Sequence, residues 1–133
     1  MGDIKGAIED YNKFLEFNPD DALTYLNIGN LKHNLKDYAG AVEQFDKAIS
    51  LNNKNPIFFV RRSDTKRILK QYQPALNDAN AAIRLDPSYG EAYYTRALTE
   101  YFISKDNSAC SDMKKAVDLG FLTAQEKINS FCK

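Results

Sequence analysis

The chain of 133 residues predicts an all-α fold of about eight helices that pack as antiparallel pairs. Three observations predict this fold. Apolar and small residues recur at a fixed interval of 34 positions along the chain. Within each interval, apolar residues fall three and four positions apart, which is the spacing of one helix face. No segment alternates apolar and polar residues with a period of two, so we expect no strand.

The interval is visible as columns of equivalent residues, obtained when the sequence is shifted by 34 positions onto itself. An alanine column consists of Ala7, Ala41, Ala75 and Ala109. An aromatic column consists of Tyr25, Phe59 and Tyr93. A column of small residues consists of Gly29, Ser63 and Ala97. Several columns that agree in one register indicate a true internal repeat, and small residues predict places where two helices cross closely.

Polar breaks divide the chain into its helices. The break 18–21 contains proline and aspartate, which end one helix and cap the next, and the break 104–107 separates two helices of one repeat. Such short connections make neighbouring helices antiparallel. The predicted elements of this single domain, 1–133, are a lone second helix at 2–18, helix pairs at 22–55, 56–89 and 90–120, and a capping helix at 121–132.

The two ends of the predicted array differ. The capping helix carries apolar residues that cover the last helix pair, as a helical repeat array requires. The first helix has no partner in its own repeat, and we expect part of its apolar stripe to be exposed and to favour self-association or an upstream repeat. That stripe consists of Ile4, Ala7, Ile8, Tyr11 and Leu15.

These features resemble the tetratricopeptide repeat family. Tyr25 lies near the start of a repeat, Gly29 follows four positions later, Ala41 follows twelve beyond, and the segment 85–87 closes a repeat with Leu-Asp-Pro. The resemblance extends over essentially the whole chain. It implies a right-handed superhelical solenoid, and the carboxy-terminal part of a longer, bacterial-type array. An amino terminus that naturally begins within a repeat is the alternative.

Some residues depart from the family pattern. Arg62 and Arg96 occupy a column that is usually aliphatic. A column that is usually tyrosine holds Lys32, Lys66 and Glu100. These departures weaken single repeats as matches and leave the period unchanged.

Charge and composition exclude several functions. The 18 basic residues balance 18 acidic ones, whereas proteins that bind nucleic acid or anionic membranes usually carry a basic excess. No apolar stretch approaches the about 20 residues of a membrane-spanning helix. We therefore expect no nucleic-acid partner and no direct membrane insertion.

Catalytic, metal-binding and cofactor motifs are not found in the sequence. His33 is the only histidine, and we expect it at the exposed end of a helix. There is no Cys-x-x-Cys pair, no glycine-rich phosphate loop and no Gly-x-Ser-x-Gly elbow. The sequence therefore predicts a protein that is not an enzyme and uses no metal and no cofactor.

The resemblance implies a module that binds a protein or peptide partner in a concave groove lined by the first helix of each pair. An apolar floor of Leu26, Val60, Tyr94 and Leu98 would hold an apolar anchor. The alternative is a structural spacer or assembly segment of a larger protein, and an accessory domain of an enzyme is a more distant one. The implied groove residues are Leu26, Asn27, Asn30, Val60, Arg61, Asp64, Arg67, Tyr94, Leu98 and Tyr101.

One subtype of the family grips a terminal carboxylate with Lys, Asn, Asn, Lys and Arg from three successive first helices. When that pattern starts at the first complete repeat, Asn30 alone of the five positions agrees. When it starts one repeat earlier, Asn27 and Arg61 agree. Neither register supplies a lysine, so the resemblance implies a groove without this carboxylate clamp.

Two cysteines bear on the cellular compartment. Cys110 and Cys132 lie ten residues before and twelve after Gly120, on helices that we expect to be antiparallel, so their sulfur atoms can meet. A disulfide and two buried thiols are both consistent with the sequence. Two free thiols would be consistent with a cytoplasmic location. A disulfide would be consistent with a periplasmic or other extracytoplasmic location, where disulfides persist.

Overall fold

The computed structural model describes residues 3–104 and 107–132. Gly2 and the centre of the predicted break at 104–107 lie outside these ranges. The described residues form eight α-helices and no strand, which confirms the predicted all-α repeat solenoid. The helices are α1 (Ile4–Phe17), α2 (Ala22–Asn34), α3 (Tyr38–Leu51), α4 (Pro56–Ile68), α5 (Tyr72–Leu85), α6 (Gly90–Ser104), α7 (Cys110–Asp118) and α8 (Thr123–Phe131). A short 3₁₀ turn, Asn107–Ala109, precedes α7.

Local sequence sets where several helices begin. Asp3 and Asp37, one repeat apart, each accept a hydrogen bond from the backbone N–H three residues later and so cap α1 and α3. The side chain of Asn55 caps α4 by accepting a hydrogen bond from the Ile57 N–H, two residues later. Pro56 occupies the first helical position, where its missing N–H costs nothing. The cap residues therefore fix the phase of the repeats along the chain.

The helices form two layers. We call α2, α4 and α6 the inner helices and α1, α3, α5 and α7 the outer helices. Neighbouring inner helices contact each other directly, whereas no comparable contact joins α3 to α5 or α5 to α7. The inner helices are thus the more closely spaced, which makes their free side the concave face. None of the described helices has both the length and the apolar character needed to cross a membrane.

The core consists of clusters between the layers. Each cluster joins buried residues of an outer helix to residues of the inner helices or of α8. One contains Leu26, Ala41, Phe45, Ala48 and Phe58. A second contains Val60, Ala82 and Ala92. A third contains Ala97, Ala109, Met113, Ala116 and Ala124.

The helices α2 and α3 cross closely at Gly29 and Phe45. A Cβ atom at Gly29 would lie 2.5 Å from a ring carbon of Phe45, and that ring is buried. The same column holds Ser63 and Ala97 in the next repeats, where Ala79 and Met113 replace the phenylalanine. A glycine is therefore required only where the outer helix offers an aromatic ring.

We expect Gly29→Ala to lower the free energy of unfolding by about 1–2 kcal/mol, because overpacking outweighs the gain in helix propensity. Urea unfolding of both proteins measures this difference. Phe45→Leu is the matched control, since Gly29→Ala should cost less in its presence. If Gly29→Ala stabilises the wild-type protein as it would an ordinary helix, the helices do not cross this closely.

The two unusual arginines link successive outer helices. Arg62 donates to both carboxylate oxygens of Asp78 on α5, at 2.8 and 2.7 Å, and to Asp46 on α3 at 2.8 Å. Arg96, one repeat later, donates to Asp112 on α7 at 2.6 and 2.8 Å and to Asn80 on α5 at 3.0 Å. Each arginine bridges outer helices that do not pack on each other, so the departures from the family pattern are inter-repeat links.

The bonds to Asp78 and Asp112 are shielded from water. Asp78 and Asp112 are 5% and 7% exposed. Lys66 adds a second cation to Asp78, with its Nζ atom 3.2 Å from the carboxylate. Arg62 and Arg96 also lie over the rings of Phe59 and Tyr93. A buried carboxylate with this set of partners is stable only while each partner remains in place.

Candidate functional site

A polar cavity lies on the concave face, between α2 and α4. It has a volume of about 340 Å³ and is open to solvent. Asn30, Arg61 and Asp64, three of the predicted groove residues, line it together. The remaining lining residues are His33, Asn34 and Phe45.

The asparagines of α2 give this face its unused hydrogen-bonding capacity. Asn27, Asn30 and Asn34 lie three and four positions apart, on one face of the helix. Among the described residues, none of their side-chain amides bonds to another protein group. Each amide offers both a donor and an acceptor. The row therefore matches the alternating N–H and C=O groups of a peptide backbone.

His33 lies beside this row and is held by α4. Its Nδ1 atom is 2.9 Å from the Thr65 hydroxyl, which itself donates to the Arg61 carbonyl at 2.9 Å. Since the single hydroxyl proton is used in that bond, Nδ1 of His33 is the donor and Nε2 is left as an acceptor. Burial lowers the pKa of His33, although the carboxylate of Asp64 acts in the opposite direction. The ring is therefore neutral at pH 7.

Charged residues of the concave face are paired with each other. Arg61 donates to Glu91 at 2.7 Å, and Arg67 donates to Asp64 at 3.1 Å. Thr95 donates to Asp64 at 3.2 Å. Burial raises the pKa of Asp64, while Arg67 and Arg61 oppose that change. Two arginines and two carboxylates balance, so this face has little net charge to select a charged ligand.

Family models and solved structures agree on what this chain is similar to. A model described as TPR repeat matches residues 1–36, and one described as Tetratricopeptide repeat matches residues 22–55. Tetratricopeptide repeat models thus match residues 1–55 of this chain. The sequence resemblance is thereby confirmed. Members of this family are generally non-enzymatic modules for protein interaction.

Solved tetratricopeptide structures share the fold over most of the chain. MamA 41-end from Desulfovibrio magneticus RS-1 is 24% identical, with a TM-score of 0.85, and the match covers 98% of this chain and 75% of that one. The first TPR of Spaghetti (RPAP3), bound to HSP90 peptide SRMEEVD, is 24% identical with a TM-score of 0.77, over 83% and 89% of the two chains. The Sgt2 TPR domain from Aspergillus fumigatus is 20% identical with a TM-score of 0.79, over 84% and 76%. No relative is found among curated protein sequences.

The tetratricopeptide packing corrects part of the predicted groove. Val60 is fully buried and Leu26 is 8% exposed, so neither lines a surface, and the expected apolar floor was wrong for both. The physical reason is that this helix position points into the seam between adjacent inner helices. Both residues belong to core clusters. Leu26 and Val60 therefore pack in the core beneath the groove and do not line it.

The other predicted apolar residues lie at the far end of the groove, against α8. Tyr101 stacks on Phe131 with ring centroids 4.1 Å apart, and Tyr94 packs on Phe121 at 5.1 Å. Leu98 belongs to the same cluster. These three residues are half-buried. The structure thus divides the predicted groove into a polar half on α2 and α4 and an aromatic half that α8 partly covers.

His33 is one of the groove residues that sequence reasoning missed. We expected it at an exposed helix end, which was wrong, because α4 lies alongside and leaves it partly buried. The signal was present in the repeat: His33 falls in the same column as Arg67 and Tyr101, which were both assigned to the groove.

Cys110 and Cys132 are joined by a disulfide. Their Cα atoms are 5.4 Å apart, and 22 positions separate them in the sequence. The bond ties the start of α7 to the residue that follows α8. It thereby holds α8 beside the aromatic half of the groove.

Proposed function

We propose that this protein is an interaction module whose concave face binds an extended peptide segment of a protein partner. The row of Asn27, Asn30 and Asn34 amides beside an open polar cavity carries the proposal. Asn27 and Asn30 are half-buried and Asn34 is exposed, so their amides are accessible to a ligand, and a peptide backbone offers complementary donors and acceptors whatever its sequence. The peptide seen in the structure of the first TPR of Spaghetti (RPAP3) supports a peptide as the ligand class.

The ligand selectivity that we propose is weak toward charge. Arg61 and Arg67 are already paired with Glu91 and Asp64, so a carboxylate on the ligand must compete with an internal partner. The carboxylate-clamp lysines are not found at the equivalent positions of this chain. We therefore propose that backbone recognition by α2 supplies the affinity, with one side chain of the peptide in the cavity.

This site is tested with a peptide selected from a phage-displayed random library on the intact protein. We expect Asn30→Ala and Arg61→Ala each to weaken binding of that peptide by about 1 kcal/mol or more, as measured by calorimetric titration. Thermal unfolding checks that both variants remain folded. Asn77→Ala, an exposed amide on outer helix α5, is the matched control and should leave affinity unchanged. The proposal fails if the two groove variants bind normally and the control does not.

We also propose that the protein works in an oxidising compartment. Disulfides persist where thiols are not kept reduced, as in the periplasm and outside cells. The bond between Cys110 and Cys132 therefore favours an extracytoplasmic location over the cytoplasm. In that setting α8 remains fixed beside the groove.

A further inference from the structure

The cavity between α2 and α4 contains a histidine nitrogen that the protein itself does not use. Nδ1 of His33 donates to Thr65, so Nε2 carries a lone pair and no proton. No described residue donates a hydrogen bond to Nε2. In the described part of the chain, the one enclosed side-chain polar atom without a partner is Nε of Arg67, so Nε2 of His33 is accessible. A ligand in the cavity can therefore donate to this nitrogen.

A carboxylate oxygen of the same cavity is also unused. Arg67 and Thr95 both donate to Oδ1 of Asp64, at 3.1 and 3.2 Å. Oδ2 has no such bond within the described residues, because Nη1 of Arg61 lies 4.0 Å from it and donates to Glu91 instead. Burial raises the pKa of Asp64 although two arginines oppose that change, so the ionised carboxylate is incompletely stabilised. A further donor at Oδ2 would stabilise it.

Arg61 gives the cavity a donor beside these two acceptors. Its Nη1 atom is bonded to Glu91 at 2.7 Å, and no residue that the structure describes accepts a hydrogen bond from its Nη2 or Nε atom. Neither nitrogen is enclosed, and Arg61 lines the cavity. A guanidinium has five N–H donors, so unused ones remain for a ligand. The cavity thus offers two acceptors and a donor.

The charge balance decides which ligand group is complementary to these atoms. Arg61 is paired with Glu91, and Arg67 is paired with Asp64. A carboxylate on the ligand could pair with Arg61 but would be repelled by Asp64, and an ammonium group could pair with Asp64 but would be repelled by Arg61. A carboxamide carries no charge, donates two N–H groups and accepts at its oxygen. It therefore matches all three unused groups and leaves the pairs intact.

We propose that the cavity selects a carboxamide side chain, glutamine or asparagine, of the bound peptide. The amide N–H2 group donates to Nε2 of His33 and to Oδ2 of Asp64, and the amide oxygen accepts from Arg61. The cavity volume of about 340 Å³ leaves room for such a side chain. This inference rests on the proposed function, since it names the side chain that a peptide on the concave face places in the cavity.

Exchanges of one side chain in a bound peptide test this selection. Peptides selected from a phage-displayed random library on the intact protein should share a glutamine or asparagine at one position. Replacing that residue by the acid of the same length, by an apolar residue of similar length or by lysine should weaken binding by about tenfold or more in calorimetric titration, because buried groups lose their partners. Selected peptides without a shared carboxamide, or an acid or lysine peptide that binds as tightly, overturn the inference.

Asp64→Asn provides the matched change in the protein. The amide oxygen of this variant stays toward Arg67 and Thr95, which both donate, so an N–H2 group takes the place of Oδ2. The variant should therefore bind the acid peptide at least as tightly as the carboxamide peptide, the reverse of the wild-type order. Asp46→Asn, on outer helix α3, is the control and should keep the wild-type order. An unchanged order in Asp64→Asn contradicts the inference.

The imidazole of His33 gives a readout that needs no substitution in the protein. His33 is the only histidine of the chain, so each of its ring nitrogens gives one unambiguous ¹⁵N resonance. The Nε2 resonance should move to lower frequency when the carboxamide peptide binds, because this atom accepts a hydrogen bond, and should move less with the apolar peptide. A Nε2 resonance that responds equally to both peptides contradicts the assigned contact.

Asn27→Ala separates a failure of this inference from a failure of the proposed function. Asn27 lies on α2 but does not line the cavity, so its loss should weaken every peptide of the series by the same factor. If Asn27→Ala weakens binding and the carboxamide exchanges do not, the groove binds peptides without this selection, and the present inference alone fails. If neither change affects binding, the proposed site fails and this inference fails with it.

Discussion

Replacing Asp78 by alanine is expected to lower the free energy of unfolding by about 3 kcal/mol or more. The substitution leaves Arg62 and Lys66 without the carboxylate that both contact, and their side chains are only 17% and 16% exposed. A buried cation that loses its buried carboxylate costs much more than the pair contributes when it is intact, and Arg62 keeps only its bond to the more exposed Asp46. Urea unfolding, followed by circular dichroism, measures the loss.

Two comparisons separate this effect from a general loss of packing. Asp46→Ala removes the other carboxylate that Arg62 contacts. Because the Asp46 side chain is 54% exposed, this substitution should lower the free energy of unfolding by about 1 kcal/mol or less. Arg62→Met in the Asp78→Ala background removes one of the two cations that lose the buried carboxylate and should recover part of the stability. If Asp78→Ala costs no more than Asp46→Ala, the buried link does not hold the outer helices together.

Reduction of the disulfide is expected to lower the free energy of unfolding by about 3 kcal/mol. The bond closes a loop across 22 positions, and cross-links of this span restrict the unfolded chain by about that amount. The structural loss should concentrate in α8, whose only fully buried residue is Ala124. Urea unfolding with and without a dithiol reductant measures the difference.

The double variant Cys110→Ser/Cys132→Ser serves as the control, because it should match the reduced protein and show no response to reductant. Hydrogen exchange should locate the change, with faster exchange at Ile128 and its neighbours than in α2 to α5. Two reactive thiols per chain, found in the denatured but unreduced protein, would show that the bond does not form.

The repeat period predicted the fold because each column reflects one local contact. Gly29, Ser63 and Ala97 are small since two helices cross there, and this requirement is visible without knowledge of the whole structure. The arginine links were harder to interpret. Arg62 and Arg96 were treated as departures from the family pattern. Each has an aspartate partner 16 positions later in the sequence, Asp78 and Asp112, and the two pairs are one repeat apart. A search for charged residues at constant spacing would have found them.

The groove was predicted less well, because helical periodicity does not give the angle between adjacent helices. Asn30 and Arg61 line the cavity, whereas Leu26 and Val60 turn into the seam between inner helices. That seam depends on how α2, α4 and α6 pack on each other, and a single-helix pattern contains no information on it. Cys110 and Cys132 lie at similar distances from the turn at Gly120, which predicted that their sulfur atoms can meet, but spacing alone could not decide whether they are bonded.

Backbone amide chemical shifts test the central claim, that the concave face binds a peptide, most directly. The probe is a peptide selected from a phage-displayed random library on the intact protein and added to the isotope-labelled chain. We expect the largest shift changes on α2 and α4, at Asn27, Asn30 and Arg61, with little change on the outer helices α3 and α5. A library that yields no binding peptide, or a peptide that shifts the outer helices instead, would contradict the account.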